Sequence, residues 1–389
     1  MGKFFYKIFY LLFLAALYSC GRLSADDSQP LIPIDFSVRD YTAEVKGISL
    51  TTDNISSFGV FAALEENSQD GFSDVDASEL QPFMDNVPVT KDASGRWTAN
   101  PPHYWPVLKD KSLSFFAYAP HSEYVVAAAG WEDDALQPDK IVRLAYSMDQ
   151  DPTNQIDLCV ARTVLDRSSF THSDSDGVPD PVTFSFEHVL SMVSFAANYT
   201  GTLPDGCNLI IEEVSLENLS TSGVLLLNAS QTESFYSWEN LSATTDINLS
   251  ITGETLANDV FIDKADPNQS NRNYVDFVTG KGDIFILPQT VNPEPEGAQN
   301  IQDEDDLASL SVVFSYVMTD NSGKLVVTAQ FYTEMPLPTS ALMVSKKTVY
   351  AFTIDVTSAS LINLSAVTGS RWIDDWEEGV IITYPGPVK

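Results

Sequence analysis

The sequence predicts an all-β protein, read as two β-sandwich domains in tandem. Three observations predict it. Apolar residues recur with period two or in short runs, while sustained helical periodicity is scarce. Clusters of Gly, Asn, Asp, Pro and Ser punctuate these runs at intervals of about ten residues. A polar, acidic, Pro-containing stretch at residues 167–181 separates the two halves.

The chain opens with a different kind of segment. Lys3 and Lys7 precede an apolar run over residues 8–17, too short for the roughly twenty residues a membrane-spanning helix needs. Leu17-Tyr18-Ser19-Cys20-Gly21 follows. A branched apolar residue three before a cysteine, with a small residue just before it, is the pattern of a bacterial lipoprotein cleavage site. Cutting falls between Ser19 and Cys20, and the Cys20 thiol receives the lipid. Gly21-Arg22 after the cysteine does not indicate inner-membrane retention, and Ser24-Ala25-Asp26-Asp27 is either an acidic tether similar to those that direct lipoproteins to the outer surface or a solvated linker. The expected organisation is a signal peptide at 1–19, a lipidated tether at 20–30, a first sandwich at 31–166, a linker at 167–181 and a second sandwich at 182–389.

Composition bounds the function. The formal net charge is −33, and loss of Lys3 and Lys7 takes the processed chain to about −35. Such a surface repels phosphate backbones, which excludes nucleic acid as a partner. After Cys20 only Cys159 and Cys207 remain, in unlike contexts, and both read as free, buried thiols.

The first strand is expected at residues 32–38, where Ile32, Ile34, Phe36 and Val38 alternate onto one face. Further strands are expected at residues 48–51, 58–64 and 83–89, around Trp97, and at 113–119 and 156–161. The continuous apolar runs at 58–64 and 113–119 suit inner strands with both faces covered. The second half opens at residues 182–190 and continues at 192–199, 209–216, 224–227, 260–263, 284–287, 310–318, 324–331, 349–356 and 380–384. Residues 292–306 form a second acidic loop.

Chemistry-bearing motifs are scarce. His103, His121, His172 and His188 have no metal-ligand spacing, and His188 reads as a hydrogen-bonded structural residue beside an apolar strand. There is no G-x-S-x-G, P-loop or G-x-G-x-x-G, and carboxylates are too abundant for any pair to mark a glycosidase. An enzyme is therefore not expected, nor is a cofactor. Asp174, Asp176 and Asp180 around Gly177 resemble part of a calcium loop. His172 stands where its first carboxylate belongs and no bidentate glutamate follows, so a solvated linker is the preferred reading. Trp97, Tyr104, Trp105, Phe115, Phe116 and Tyr118 offer either a sugar-stacking surface or, preferentially, core and sheet-edge packing.

An ordered set of stretches carries a family resemblance. It runs through Phe58-Gly59-Val60-Phe61-Ala62, Phe83-Met84-Asp85-Asn86, Trp97, Tyr104-Trp105-Pro106 and Leu113-Ser114-Phe115-Phe116-Ala117-Tyr118-Ala119-Pro120. It continues through Asp157-Leu158-Cys159-Val160-Ala161, Phe184-Ser185-Phe186-Glu187-His188-Val189-Leu190 and Leu287-Pro288-Gln289. Behind a lipoprotein signal, this set resembles the fimbrillins, subunits of type V pili, including the Mfa-like fimbrillins. Two departures stand out. Ser345-Lys346-Lys347-Thr348-Val349-Tyr350 replaces the usual Trp-x-x-Gly before a late strand, and the acidic stretch before Val182 is long.

The resemblance implies two transthyretin-like sandwiches and assembly by strand exchange. A surface protease of arginine or trypsin-like specificity removes the lipid and first strand, and a strand of the next subunit fills the vacancy. Here that makes Ile32, Ile34, Phe36 and Val38 the removable set, Arg39 the first candidate cleavage point and Lys46 the second. Val380, Ile381, Ile382 and Tyr384 form a candidate donor strand, or simply the last strand of the second sandwich. The expected partners are other fimbrillin subunits, and the outer membrane through the lipid. The alternatives are a surface adhesin that binds a glycan or host protein, at a pilus tip or alone, and a pilus anchor that keeps its lipid.

Overall fold

A computed structural model of the 389-residue chain describes residues 31–39, 55–66, 81–107, 111–123, 126–131, 140–149, 151, 154–167, 178–228, 235–244, 247–256, 275–277, 284–293, 307–368 and 380–383. All regular structure among them is strand. In chain order the first strands are β1 (Phe36–Val38), β2 (Ser57–Glu66), β3 (Gln81–Lys91), β4 (Trp97–Ala99), β5 (Lys111–Ala119), β6 (Val126–Trp131), β7 (Lys140–Ser147) and β8 (Cys159–Arg167). Next are β9 (Val182–Phe184), β10 (Phe186–His188), β11 (Ser191–Thr200), β12 (Cys207–Glu217), β13 (Ser220–Asn228), β14 (Tyr236–Thr244), β15 (Ile247–Leu256) and β16 (Val275–Phe277). The last are β17 (Ile284–Ile286), β18 (Gln289–Val291), β19 (Ser309–Thr319), β20 (Leu325–Pro336), β21 (Ser340–Leu342), β22 (Lys347–Asp355), β23 (Ser360–Thr368) and β24 (Val380–Thr383).

The first sheet has eight strands in the order β10-β8-β5-β2-β3-β4-β1-β9. Its two end strands are consecutive in the chain, with only Ser185 between them. Residues 182–184 therefore pair with β1 while residues 186–188 pair with β8. The sheet closes on itself through this one segment, and β1 lies at the seam.

Both faces of β2 and β5 are covered, as their continuous apolar runs predict. Phe58, Val60, Phe115 and Ala117 point into the closed sheet, among Ile34, Phe36, Trp97, Phe184 and Phe186. Phe61, Phe116 and Tyr118 point the other way, into a larger core that also holds Val142, Leu144, Phe195, Leu209, Phe314 and Tyr350. A second sheet, β14-β13-β7-β6, covers that outer face, and Trp131 stands edge-on to Phe61 with ring centroids 5.6 Å apart. Two more sheets enclose the rest of the larger core: β16-β11-β22-β23-β24, with β17 also on β11, and β15-β12-β19-β20. β18 and β21 form a two-stranded ribbon.

The expected units 31–166 and 182–389 exchange strands. β9 and β10 complete the first sheet, and β7 pairs antiparallel with β13. The acidic composition of 167–181 signals exposure, whereas strand partners are set by edges and registers distant in sequence. β6, β7, β14, β15, β16, β18, β21 and β23 lie outside the strands expected from the sequence, although some alternate, as Ile247, Leu249 and Ile251 do in β15. The strands expected at 48–51 and 260–263 lie outside the described residues.

Two hairpins are turned by the same pentapeptide chemistry. Asp92-Ala93-Ser94-Gly95-Arg96 joins β3 to β4, and Asp320-Asn321-Ser322-Gly323-Lys324 joins β19 to β20. In the first, Asp92 Oδ1 accepts from Ser94 N at 2.8 Å, Ser94 Oγ at 2.6 Å and Arg96 N at 3.0 Å. In the second, Asp320 Oδ1 accepts from Ser322 N at 2.8 Å, Ser322 Oγ at 2.6 Å and Lys324 N at 3.0 Å. Gly95 and Gly323 take φ of 85° and 81°, a region side chains disfavour. The serine hydroxyl, then the backbone N–H of Arg96 or Lys324, holds each carboxyl below its ordinary value of 3.8. A depressed folded-state pKa adds stability at neutral pH that disappears as pH falls through it. We expect the native Asp92 and Asp320 carboxyls to titrate below 3.8 by side-chain NMR. Ser94→Ala should raise the Asp92 midpoint and leave that of Asp320 in place.

Gly59, near the start of β2, is required by packing. A Cβ there would stand 2.5 Å from Tyr118 Cε1 and 2.8 Å from Asn86 Oδ1. Those two groups are bonded to each other, Tyr118 Oη donating to Asn86 Oδ1 at 2.9 Å. Gly59→Ala should therefore destabilise by about 1–3 kcal/mol, read as a lower urea midpoint. Tyr118→Phe, which leaves the glycine's space intact, should cost only about 1 kcal/mol.

Candidate functional site

The seam strand is held on both sides over more than its own length. On one side Phe36 pairs with Trp97, Pro33 bridges Tyr104, Ile34 N donates to His103 O at 2.9 Å, and Trp105 N donates to Ile32 O at 2.9 Å. On the other side β1 runs parallel to β9 in the register Phe36–Val182, Ser37–Thr183, Val38–Phe184. Val182 N donates to Asp35 O and Arg39 N donates to Phe184 O, each at 2.8 Å. The Ser37 and Thr183 hydroxyls meet at 2.7 Å. Among the described strands, β9 has no ladder partner except β1.

Side chains follow the expected alternation. Ile34 and Phe36 are each 4% exposed, while Ile32 and Val38 are half-buried against the same core. Phe36 is the centre of an aromatic cluster. It stacks on Phe184 at 6.1 Å and meets Phe58 and Phe115 edge-on at 6.3 and 6.2 Å. Burying such a side chain contributes about 1.5–3 kcal/mol, and each well-placed aromatic pair about 0.5–1.5 kcal/mol more. Taking β1 away would uncover these rings and leave one antiparallel and one parallel row of backbone groups facing an empty slot.

Arg39 is exposed at the end of this strand. Lys46, Ser19, Cys20 and Tyr384 lie outside the described residues. Val380, Ile381 and Ile382 belong to β24, which pairs antiparallel with β23 at the end of its sheet. Asp174 and Asp176 also lie outside the described residues, and the backbone carbonyl of Asp180 accepts from Arg167 Nη2 at 3.0 Å. Of the six aromatics in question, Trp97, Trp105, Phe115, Phe116 and Tyr118 are buried core, and Tyr104 is 40% exposed.

One cluster was invisible to spacing arguments. Asp157, Cys159 and His188 are brought together on β10 and the start of β8, all of them buried, with potential ligand atoms within 4.8 Å of one another. His188 Nδ1 lies 2.5 Å from Asp157 Oδ2, and Cys159 Sγ lies 3.4 Å from His188 Nδ1. Two ligands about 2.1 Å from one tetrahedral ion would stand roughly 3.4 Å apart. The closer approach makes Asp157 and His188 partners of each other. The set also has the composition of a nucleophile triad, but burial and then the Asp157 charge push the Cys159 thiol well above its ordinary value. A catalytic cysteine needs the opposite shift. The cluster is a clamp between strands, consistent with the structural role expected for His188. Cys159 and Cys207 are both free and buried, as expected.

A family model described as fimbrillin-like matches residues 49–376, a span that begins after β1 and ends before β24. Among solved structures, a fimbrial protein from Bacteroides vulgatus is similar at 18% identity and a TM-score of 0.57, covering 88% of this chain and 99% of that one. A candidate cell adhesion protein from Bacteroides uniformis matches at 16% identity and a TM-score of 0.44, covering 89% and 100%. No curated protein matches.

Proposed function

Since the chain belongs to the fimbrillin-like family, we propose that it is a structural subunit of a cell-surface fimbrium that matures by losing β1 and polymerises by strand exchange. It is exported as a lipoprotein through Cys20 and held at the outer membrane. A protease cuts after Arg39, or at Lys46, and a strand from another fimbrillin subunit fills the slot. The observation that carries this reading is the seat of β1. Alternating side chains of one short strand plug an aromatic core at the seam of a closed sheet, and an exposed arginine follows directly. The slot has a direction: a replacement must run parallel to β9 and antiparallel to β4, as β1 does. Main-chain pairing would supply affinity, and alternate side chains would set register. Val380, Ile382 and Tyr384 alternate as Ile32, Ile34 and Phe36 do, which makes the last strand the donor candidate within the chain itself.

The test uses soluble protein beginning at Gly21, treated with an arginine-specific protease. The new amino terminus is read by mass spectrometry, and the product is run unboiled on a denaturing gel. A cut after Arg39 with a heat-labile ladder supports the reading. A chain that resists cutting at Arg39 and Lys46 and stays monomeric overturns it, in favour of a lipid-retaining anchor or a stand-alone surface binder.

A further inference from the structure

A groove of about 530 Å3 lies away from β1, between β14 and the β18–β21 ribbon. Its walls include Tyr236, Trp238, Gln289, Met343 and Lys346. The groove is open rather than enclosed. Three features make it a formed site. First, Trp238 is half-buried but locked: its Nε1 donates to Val189 O at 2.9 Å and its ring meets Tyr146 edge-on at 5.8 Å. Second, the ribbon wall is pinned through Gln289, whose Oε1 accepts from Ser220 N at 2.9 Å while its Nε2 donates to Ser220 O at 3.1 Å. Third, none of the described residues lining the groove is acidic, and one is Lys346. In a chain with 54 acidic against 21 basic residues, a groove with a lysine and no acidic residue among its described lining residues is a local reversal of charge.

We infer that this groove binds a saccharide bearing an anionic group, a uronate or sulfated sugar unit of a surface glycan. The half-buried Tyr236 and Trp238 rings are the stacking surface for the apolar face of a sugar ring. Hydroxyls of Ser237 and Thr290 serve its hydroxyls, and Lys346 serves its anion. A locked ring loses little freedom on binding, which lowers the cost of occupying the groove. The inference does not depend on strand exchange, because the groove residues are not part of the core that β1 plugs.

The test titrates uncut, monomeric protein beginning at Gly21 with trigalacturonate, a sulfated trisaccharide and the neutral cellotriose, followed by calorimetry and NMR. Binding of one anionic sugar at millimolar concentration or tighter, and of cellotriose about tenfold more weakly, is the expected result. The preferred anion identifies the source. Lys346→Glu should weaken the anionic sugar about tenfold or more. Trp238→Phe, which keeps the core contact and removes the larger ring, should weaken both classes while the far-ultraviolet spectrum stays unchanged. Absence of binding by all three sugars, equal affinity for charged and neutral sugars, or affinity untouched by Lys346→Glu overturns the inference. So does preferential capture of a peptide spanning residues 380–384, which would make the groove a strand-docking site.

Discussion

Truncating Phe36 to alanine should cost about 3–5 kcal/mol, a third or more of a typical domain's stability. The ring is 4% exposed and touches Phe58, Phe115 and Phe184. Its loss opens a cavity between β4 and β9, where β1 joins the end of the sheet. Ser37→Ala, one residue along on the opposite face, should cost under about 1 kcal/mol, because it removes only the exposed hydroxyl contact with Thr183. The same contrast should appear in trans. A peptide of residues 31–39 should bind a chain cut after Arg39, and the peptide carrying Phe36→Ala should bind roughly a hundredfold to a few thousandfold more weakly. Fluorescence anisotropy with a labelled peptide reads both values. Equal affinity of the two peptides would mean that backbone pairing alone holds the strand, and the alternation of Ile32, Ile34, Phe36 and Val38 would then carry no register.

His188→Ala should cost a comparable amount, about 3–5 kcal/mol, the usual effect of removing one member of a buried, paired set. The variant leaves a carboxylate that is 0% exposed facing a thiol that is 2% exposed. The damage also falls on β10, which together with β9 closes the first sheet, so the seam should loosen at both ends of the 182–188 segment. Hydrogen exchange would read this as faster exchange at β1 and β9, some distance from the substitution. Cys159→Ala, which leaves the Asp157–His188 bond in place, should cost only about 1 kcal/mol. A chelator should not alter the thermal midpoint. A midpoint that fell on chelation would mean that Asp157, Cys159 and His188 share an ion rather than a hydrogen bond.

Much of this architecture is legible in the amino-acid order, for local reasons. Alternation of Ile32, Ile34, Phe36 and Val38 states a strand with one wet face, because side chains in extended backbone point to opposite sides in turn. The continuous runs in β2 and β5 state two covered faces. The pentapeptides at 92–96 and 320–324 were equally legible, since an Asp two before a Ser and three before a Gly closes a turn through its own carboxylate. Gly59 was visible only as part of a motif. Its reason, the ring of Tyr118, is fifty-nine residues away.

By itself the sequence determined the strand-forming periods, the turn chemistry, the acidic surface and an arginine directly behind an alternating segment. Those are properties of neighbours along the chain, fixed by pleat geometry, side-chain hydrogen bonding and charge. Only the tertiary structure decided that residues 182–188 close the first sheet onto β1, and that β7 crosses to β13. It alone brought Asp157, Cys159 and His188 into one buried clamp, and Tyr236, Trp238 and Lys346 around one groove. Each of these is a choice among many available edges and faces. It is settled by which pairing buries the most apolar surface with every backbone group bonded, a condition on the whole chain at once that no local window contains.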